Sequence, residues 1–257
     1  MSKILAFNWK TNPTSQKESI ELFNSYKDNF DKIVNWNKIV FPPFVYLSKI
    51  VELANNENIK AFIGSQDISQ YESGAHTSQI SAKMIKDLGC DYALIGHSET
   101  RSELLTTSFD TAYKIKICLE NNLKPILCVG FEPKLDNENI DFEELTNQII
   151  TAISSNETAL SKLETFIIAY EPTWAIGTGK IPTLAQIESV SDFIISTIHD
   201  HFGADLSHKT SVLYGGSVND SNISELTKSD KIAGFLIGGA SLIPDKVQKI
   251  VEKLLDL

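Results

Sequence analysis

The chain lacks most of the features that assign a sequence at a glance. Among its 257 residues there are only three cysteines, Cys90, Cys118 and Cys128. Their number is odd and they follow no metal or redox spacing, which argues against a disulfide scaffold, a zinc site and a dithiol motif. Small buried thiols in a reducing compartment are the expectation. No stretch approaches the roughly 20 apolar residues of a membrane span. The first apolar run, Ile4 to Phe7, is too short for a signal-peptide core, so no membrane association and a cytoplasmic location are expected. Positive charge is also lacking: the net charge is −10, and no run of like charges stands out. That excludes nucleic acid and anionic membrane surfaces as expected partners. An anionic substrate would need a local positive site, because the field of the whole molecule repels it. Linkers, low-complexity tracts and internal sequence repeats are absent as well, so residues 1–257 are read as a single domain.

What is present is an ordinary globular composition, 42% hydrophobic, and a regular alternation of two patterns. Short apolar runs at 4–7, 39–41, 60–64, 92–95, 125–129, 166–170, 211–214 and 234–237 read as strands. Amphipathic stretches at 16–30, 45–54, 81–88, 109–120, 141–155, 184–199 and 245–255, with a short one near Asn222, read as helices. Pro42 and Pro43 stop one strand, Gly89 ends one helix, and Pro125 stands at the start of a strand, where proline is tolerated. The repeat is about 30 residues, the size of a βα unit, and about eight units fit the length of a (β/α)8 barrel. A doubly wound open sheet fits the same pattern, because periodicity cannot show closure.

The stretch Thr165 to Lys180, TFIIAYEPTWAIGTGK, carries the densest chemistry. Phe166 to Tyr170 suits a strand buried on both faces. Glu171 follows, and Pro172 keeps it out of helical geometry. A carboxylate therefore stands at the C-terminal end of a buried strand, the end at which parallel α/β folds bind ligands. Trp174 to Lys180 combines an apolar half with a two-glycine half and could cover a pocket while offering backbone N–H groups. Alone, the stretch equally fits a strand-ending acid before a surface turn.

Other strand ends add to it. The first ends in Asn8-Trp9-Lys10, where a lysine can neutralise a phosphate or a developing oxyanion. The fourth ends in Gly96-His97-Ser98-Glu99; a helix opening there would keep His97 neutral and able to donate a hydrogen bond. The seventh ends in Tyr214-Gly215-Gly216-Ser217 and the eighth in Gly238-Gly239-Ala240-Ser241. Glycine pairs at neighbouring tips allow close backbone approach to a phosphate.

Taken together, the motifs NWK at 8–10, GHSE at 96–99, LCVG at 127–130, AYEPTWAIGTGK at 169–180, YGGSV at 214–218 and GFLIGGASL at 234–242 resemble the triosephosphate isomerase family in order and spacing along essentially the whole chain. The resemblance implies a (β/α)8 homodimer that interconverts dihydroxyacetone phosphate and glyceraldehyde 3-phosphate without cofactor or metal. It implies Glu171 as the base, His97 as a neutral acid that polarises the carbonyl, and Lys10 with Asn8 beside it at the phosphate and enediolate charge. Glu99 would orient the region of Lys10 and His97. Trp9, Gly177, Ser217, Gly238 and Gly239 would complete the substrate site, and Trp174 to Lys180 would be a lid. The loop from Gln66 to Thr77 would enter the second subunit.

Two departures stand out. The lid is followed by Ile181 and Pro182 where the family usually has two small or β-branched residues. Gln79, Thr100 and Thr106 are neutral where the family usually has charged side chains near the subunit contact. A different phosphate-binding barrel enzyme would share the glycine sites without needing Glu171 and His97. A non-catalytic phosphosugar-binding barrel would be expected to have lost one of Lys10, His97 or Glu171, and none is lost.

Overall fold

The computed structural model describes residues 3–131, 142–173 and 181–255. Each unit starts with a short strand and returns over helix. β1 (Lys3–Asn8) leads to α1 (Gln16–Ser25) and α2 (Lys27–Lys32), β2 (Trp36–Phe41) to α3 (Phe44–Asn56), and β3 (Phe62–Ser65) to α4 (Ala82–Asp87). β4 (Tyr92–Ile95) leads to α5 (Ser98–Glu103) and α6 (Ser108–Glu120), and β5 (Lys124–Phe131) to α7 (Phe142–Ser154) and α8 (Glu157–Leu160). β6 (Phe166–Pro172) is followed by α9 (Leu184–Phe202) and α10 (Ala204–Lys209), and β7 (Thr210–Tyr214) by α11 (Ile223–Leu226). β8 (Gly234–Ile237) runs into a 3-10 turn, Gly239–Leu242, and then α12 (Pro244–Leu255).

The strands form one closed parallel barrel in sequence order, with β1 paired to both β2 and β8. Closure decides against the open sheet. Gly234 is essential at the seam: a Cβ there would lie 1.9 Å from the Ile4 carbonyl oxygen, so only glycine lets β8 approach β1 at this point.

Side chains alternate across the barrel wall. Ile4, Ala6, Ile39, Phe41, Tyr92, Leu94, Ile126, Cys128, Ile167 and Ala169 fill the interior. Leu5, Phe7, Val40, Ala93, Ile95, Leu127, Val129, Phe166, Ile168 and Tyr170 pack outward against the helices. Both faces are buried, which is why the strands read as continuous apolar runs rather than alternating ones. Each large aliphatic or aromatic side chain so buried contributes about 1.5–3 kcal/mol. The three cysteines are free and buried. Burial first, then the charge of Asp91, pushes the Cys90 thiol up to about 12, so it stays protonated and inert.

The helices begin where side chains satisfy the first backbone donors. Thr107 with Asp110 and Thr183 with Gln186 form reciprocal capping boxes at α6 and α9, and Ser15 caps α1 through Glu18 N–H. Such caps contribute about 1 kcal/mol each.

Two expectations are corrected. The helix expected over 16–30 is two helices, because the chain breaks at Tyr26, whose N–H bonds the Phe23 carbonyl. The strand expected to stop at Tyr170 continues through Glu171 and Pro172, because β5 is also longer than expected and offers Gly130 and Phe131 as pairing partners. The polar loop expected at 132–139 and the start of the helix expected at 141 lie outside the described residues.

Candidate active site

Parallel strands in a closed barrel all end on the same rim, so residues distant in sequence meet there. Asn8 at the end of β1 and Lys10 just after it, His97 after β4, Glu171 on β6, Gly215, Gly216 and Ser217 after β7, and Gly238 and Gly239 after β8 line one cavity of about 490 Å³.

Glu171 is 2% exposed. Its Oε1 lies 2.9 Å from His97 Nε2, and its Oε2 accepts the Ser98 backbone N–H at 2.8 Å. Its backbone is held against Gly130, where a Cβ would lie 2.1 Å from the Glu171 carbonyl oxygen. Gly130 is in turn gripped by Gln148, which accepts from the Gly130 N–H at 3.0 Å and donates to its carbonyl at 2.7 Å. Sequence reasoning missed Gln148: a glutamine on a helix gives no sign that it faces a strand end.

His97 is the N-cap of α5. Its Nδ1 accepts the Glu99 backbone N–H at 3.2 Å. A nitrogen that accepts carries no proton, so this contact defines a neutral ring with its hydrogen on Nε2, directed at Glu171. Two influences on the ring oppose each other. Burial, the larger single cause, disfavours the imidazolium, but the charge and hydrogen bond of Glu171 and the charge of Glu99 outweigh it, and the net direction is upward. The expectation that a helix N-terminus alone would keep His97 neutral is therefore incomplete. The sequence could not show a carboxylate at hydrogen-bonding distance.

Lys10 adopts φ +55°, the left-handed region, at a cost of about 1–2 kcal/mol for a residue with a Cβ. Its N–H donates to Asn8 Oδ1 at 3.0 Å, and its carbonyl accepts from Gln66 Nε2 at 2.8 Å. Its ammonium meets Glu99 Oε1 at 2.6 Å. Glu99 thus touches Lys10 through its side chain and His97 through its backbone.

Trp9 does not line the cavity. Its side chain is fully buried beside Phe23 and Tyr26, with Nε1–H donating to the Tyr26 hydroxyl at 2.9 Å. Trp9 was expected among the substrate-binding residues; its side chain lies in the wall behind Asn8, just past the end of β1, away from the cavity that Asn8 and Lys10 line. Gly177 and the expected lid, 174–180, lie outside the described residues. Lys246, on the first turn of α12, was not anticipated; it lines the cavity with the two glycine turns and has no acidic partner among the described residues. Among the described residues, no group of three or more His, Cys, Asp or Glu side chains is placed to hold a metal ion, and no helix is long and apolar enough to cross a membrane.

A family model described as triosephosphate isomerase matches residues 3–254. The chain belongs to the triosephosphate isomerase family. A relative of that name from Alkaliphilus oremlandii is 36% identical over 249 residues, covering 97% of this chain and 98% of that protein. One from Dehalococcoides mccartyi is 40% identical over 240 residues, covering 93% and 91%. One from Coxiella burnetii is 36% identical over 251 residues, covering 97% and 96%.

Of the three neutral positions singled out in the sequence, Gln79 and Thr100 have local side-chain partners, and Thr106 bonds through its backbone. Gln79 Oε1 accepts from the Ser69 hydroxyl at 2.6 Å, and the Thr100 hydroxyl donates to the His97 carbonyl at 2.8 Å. The Thr106 N–H donates to the Thr100 carbonyl at 3.1 Å. The neutral side chains of Gln79 and Thr100 thus complete hydrogen bonds within the chain.

Proposed function

We propose that this protein interconverts dihydroxyacetone phosphate and D-glyceraldehyde 3-phosphate through an enediol or enediolate, with no cofactor or metal. The observation that carries this reading is a buried carboxylate, Glu171, set against the Nε2–H of His97 in the cavity that also holds Lys10 and the two glycine turns. The glycine turns would bind the phosphate through backbone N–H groups, with Ser217, Gly238 and Gly239 as contacts and Gly177 joining from the lid. The substrate carbonyl would take the Nε2–H that Glu171 occupies in the described arrangement. The carboxylate would then turn from the imidazole to the adjacent carbon, remove its proton and return it to the neighbouring carbon. His97 would move protons between the two oxygens, and the Lys10 ammonium would stabilise negative charge on the enediolate. Asn8 holds the Lys10 backbone, and Glu99 holds its ammonium. A lid would keep the enediolate from water until reprotonation.

The test is a coupled assay with glyceraldehyde 3-phosphate on wild type and Glu171→Gln. Turnover is expected in the wild type, with a fall of at least about 10²-fold in the variant, the usual scale for loss of a general base. Near-normal turnover in Glu171→Gln would overturn the assignment of the base. Absence of turnover in the wild type would favour the other phosphosugar barrels.

A homodimer through the loop from Gln66 to Thr77 belongs to the same reading. It is supported by a groove of about 780 Å³ beside the site, which Gln66, Gln79, Thr100 and Thr106 help to line. Leu104 and Leu105 at that groove are 70% and 79% exposed, apolar surface that a second copy would cover. The loop is tied to itself: Tyr71 and His76 stack with ring centroids 3.7 Å apart, and the Tyr71 N–H donates to Ser69 Oγ at 3.0 Å. A preformed loop loses less entropy on docking.

A further inference from the structure

Tyr26 lies at the break between α1 and α2, and its side chain is fully buried. The ring packs among Phe7, Trp9, Phe23 and Phe30 at centroid distances of 5.4, 6.1, 6.5 and 5.0 Å. A phenylalanine would supply that packing equally well. The hydroxyl is what needs explaining, because a buried polar group is costly unless it is hydrogen-bonded.

Both of its bonds go to elements that carry the site. The hydroxyl accepts the Trp9 Nε1–H at 2.9 Å and donates to the Ser241 backbone carbonyl. Trp9 stands between Asn8 and Lys10. Ser241 lies in the turn Gly239–Leu242, and its N–H donates to the Gly238 carbonyl at 2.8 Å. The Ser241 hydroxyl is directed to the Asn8 carbonyl at 3.5 Å. The phenol pKa is raised by burial, so the hydroxyl remains a donor. One oxygen thus joins the lysine-bearing end of β1 to the glycine turn after β8, two segments from opposite ends of the chain.

We propose that the Tyr26 hydroxyl is a positioning group: it holds the Lys10 tip and the Gly238 and Gly239 turn at one fixed separation, so that the ammonium and the backbone N–H groups engage the same phosphate together. This rests on the reading of that turn as the phosphate site. Pairing of β1 with β8 as far as Phe7 and Ile237 already sets the two strands side by side. The joint acts beyond that pair. Without it the ends from Trp9 to Lys10 and from Gly238 to Ser241 are held less firmly before the anion arrives, so affinity falls by the ordering that binding must then impose.

The experiment is calorimetric titration with inorganic phosphate, together with kcat and KM for glyceraldehyde 3-phosphate, on wild type, Tyr26→Phe, Trp9→Phe and the double variant. The wild type must bind phosphate in competition with the triose phosphate. If it does not, the phosphate reading of the turn fails, whatever Tyr26 does. If it does, Tyr26→Phe is expected to raise the phosphate dissociation constant and KM together by about five- to tenfold, the scale of one hydrogen bond, with kcat falling less than KM rises. Trp9→Phe opens the same joint from its other side and should act in the same direction. It decides the matter if Tyr26→Phe does not fold. The double variant should be no worse than Tyr26→Phe, as expected for two groups in one connection. Unchanged phosphate affinity and KM beside a lowered Tm would reduce Tyr26 to packing and overturn the proposal. Effects that simply multiply in the double variant would overturn it as well.

Discussion

Glu171 Oε1 and His97 Nε2 lie 2.9 Å apart, with exposures of 2% and 7% for the two side chains. The two residues come from β6 and from the end of β4, and the strand between them, β5, presents Gly130 to the Glu171 backbone. A glycine in the intervening strand is what lets the carboxylate stand this close to the ring.

The pair has a pH signature. Burial opposes a charge on His97, yet Glu171 and Glu99 raise its pKa above the ordinary 6.5. Glu171→Gln removes the first of these charges and is expected to lower the His97 pKa, measured by NMR titration of the imidazole. Because a raised histidine pKa favours folding when the ring is protonated, the stabilising contribution is full below about pH 6.5, the unfolded value, and is lost as pH rises through the folded value. The stability difference between wild type and Glu171→Gln that comes from this pair should therefore narrow as pH rises through the folded value. A His97 pKa that does not move in the variant would show that the carboxylate is not paired with the ring in solution.

Gly130→Ala tests the backbone contact. Its Cβ would stand 2.1 Å from the Glu171 carbonyl oxygen, so β5 and β6 must separate or Glu171 must shift. Overpacking of this kind costs about 1–3 kcal/mol, and a displacement near 1 Å costs turnover about 10²-fold. Thermal denaturation and steady-state kinetics would measure both. A folded variant with unchanged kcat would mean that the strain is absorbed away from Glu171.

Lys246→Met tests whether the ammonium on α12, which has no acidic partner among the described residues, offsets the phosphate charge in a chain with net charge −10. KM for triose phosphate is expected to rise about threefold to tenfold at low ionic strength, the scale of one partly exposed charge contact. The difference between wild type and variant should shrink toward 1 M salt, where the screening length falls to about 3 Å. A KM ratio independent of salt would exclude a charge effect.

At the proposed subunit contact, Gln79→Glu alone is expected to weaken a dimer by placing an unpaired carboxylate there, and adding Thr100→Arg should recover part of the loss. Sedimentation equilibrium of wild type, both single variants and the double variant would give the coupling. A coupling of zero would mean that the two positions do not meet across the contact.

The strand-and-helix order was legible in the sequence because each strand buries both faces and each helix carries a local stripe, patterns set within a few residues. β4 and β8 have the bounds read from their apolar runs. The positions of Lys10, His97, Glu171 and the two glycine turns were legible for a related reason: in a parallel βα repeat every strand ends on one rim, so a reactive residue after a strand is already placed. What lay beyond the sequence depends on contacts between segments far apart in the chain. Closure rests on β8 meeting β1 at Gly234, and His97 is raised by a carboxylate two strands away. Gln148 grips Gly130 from a helix, and Tyr26 joins Trp9 to Ser241. That the Trp9 side chain packs beside Phe23 and Tyr26 rather than into the cavity is likewise a matter of the helices behind it, which the NWK motif does not record. Local periodicity records which surfaces must be buried; only the closed barrel decides which residues they are buried against.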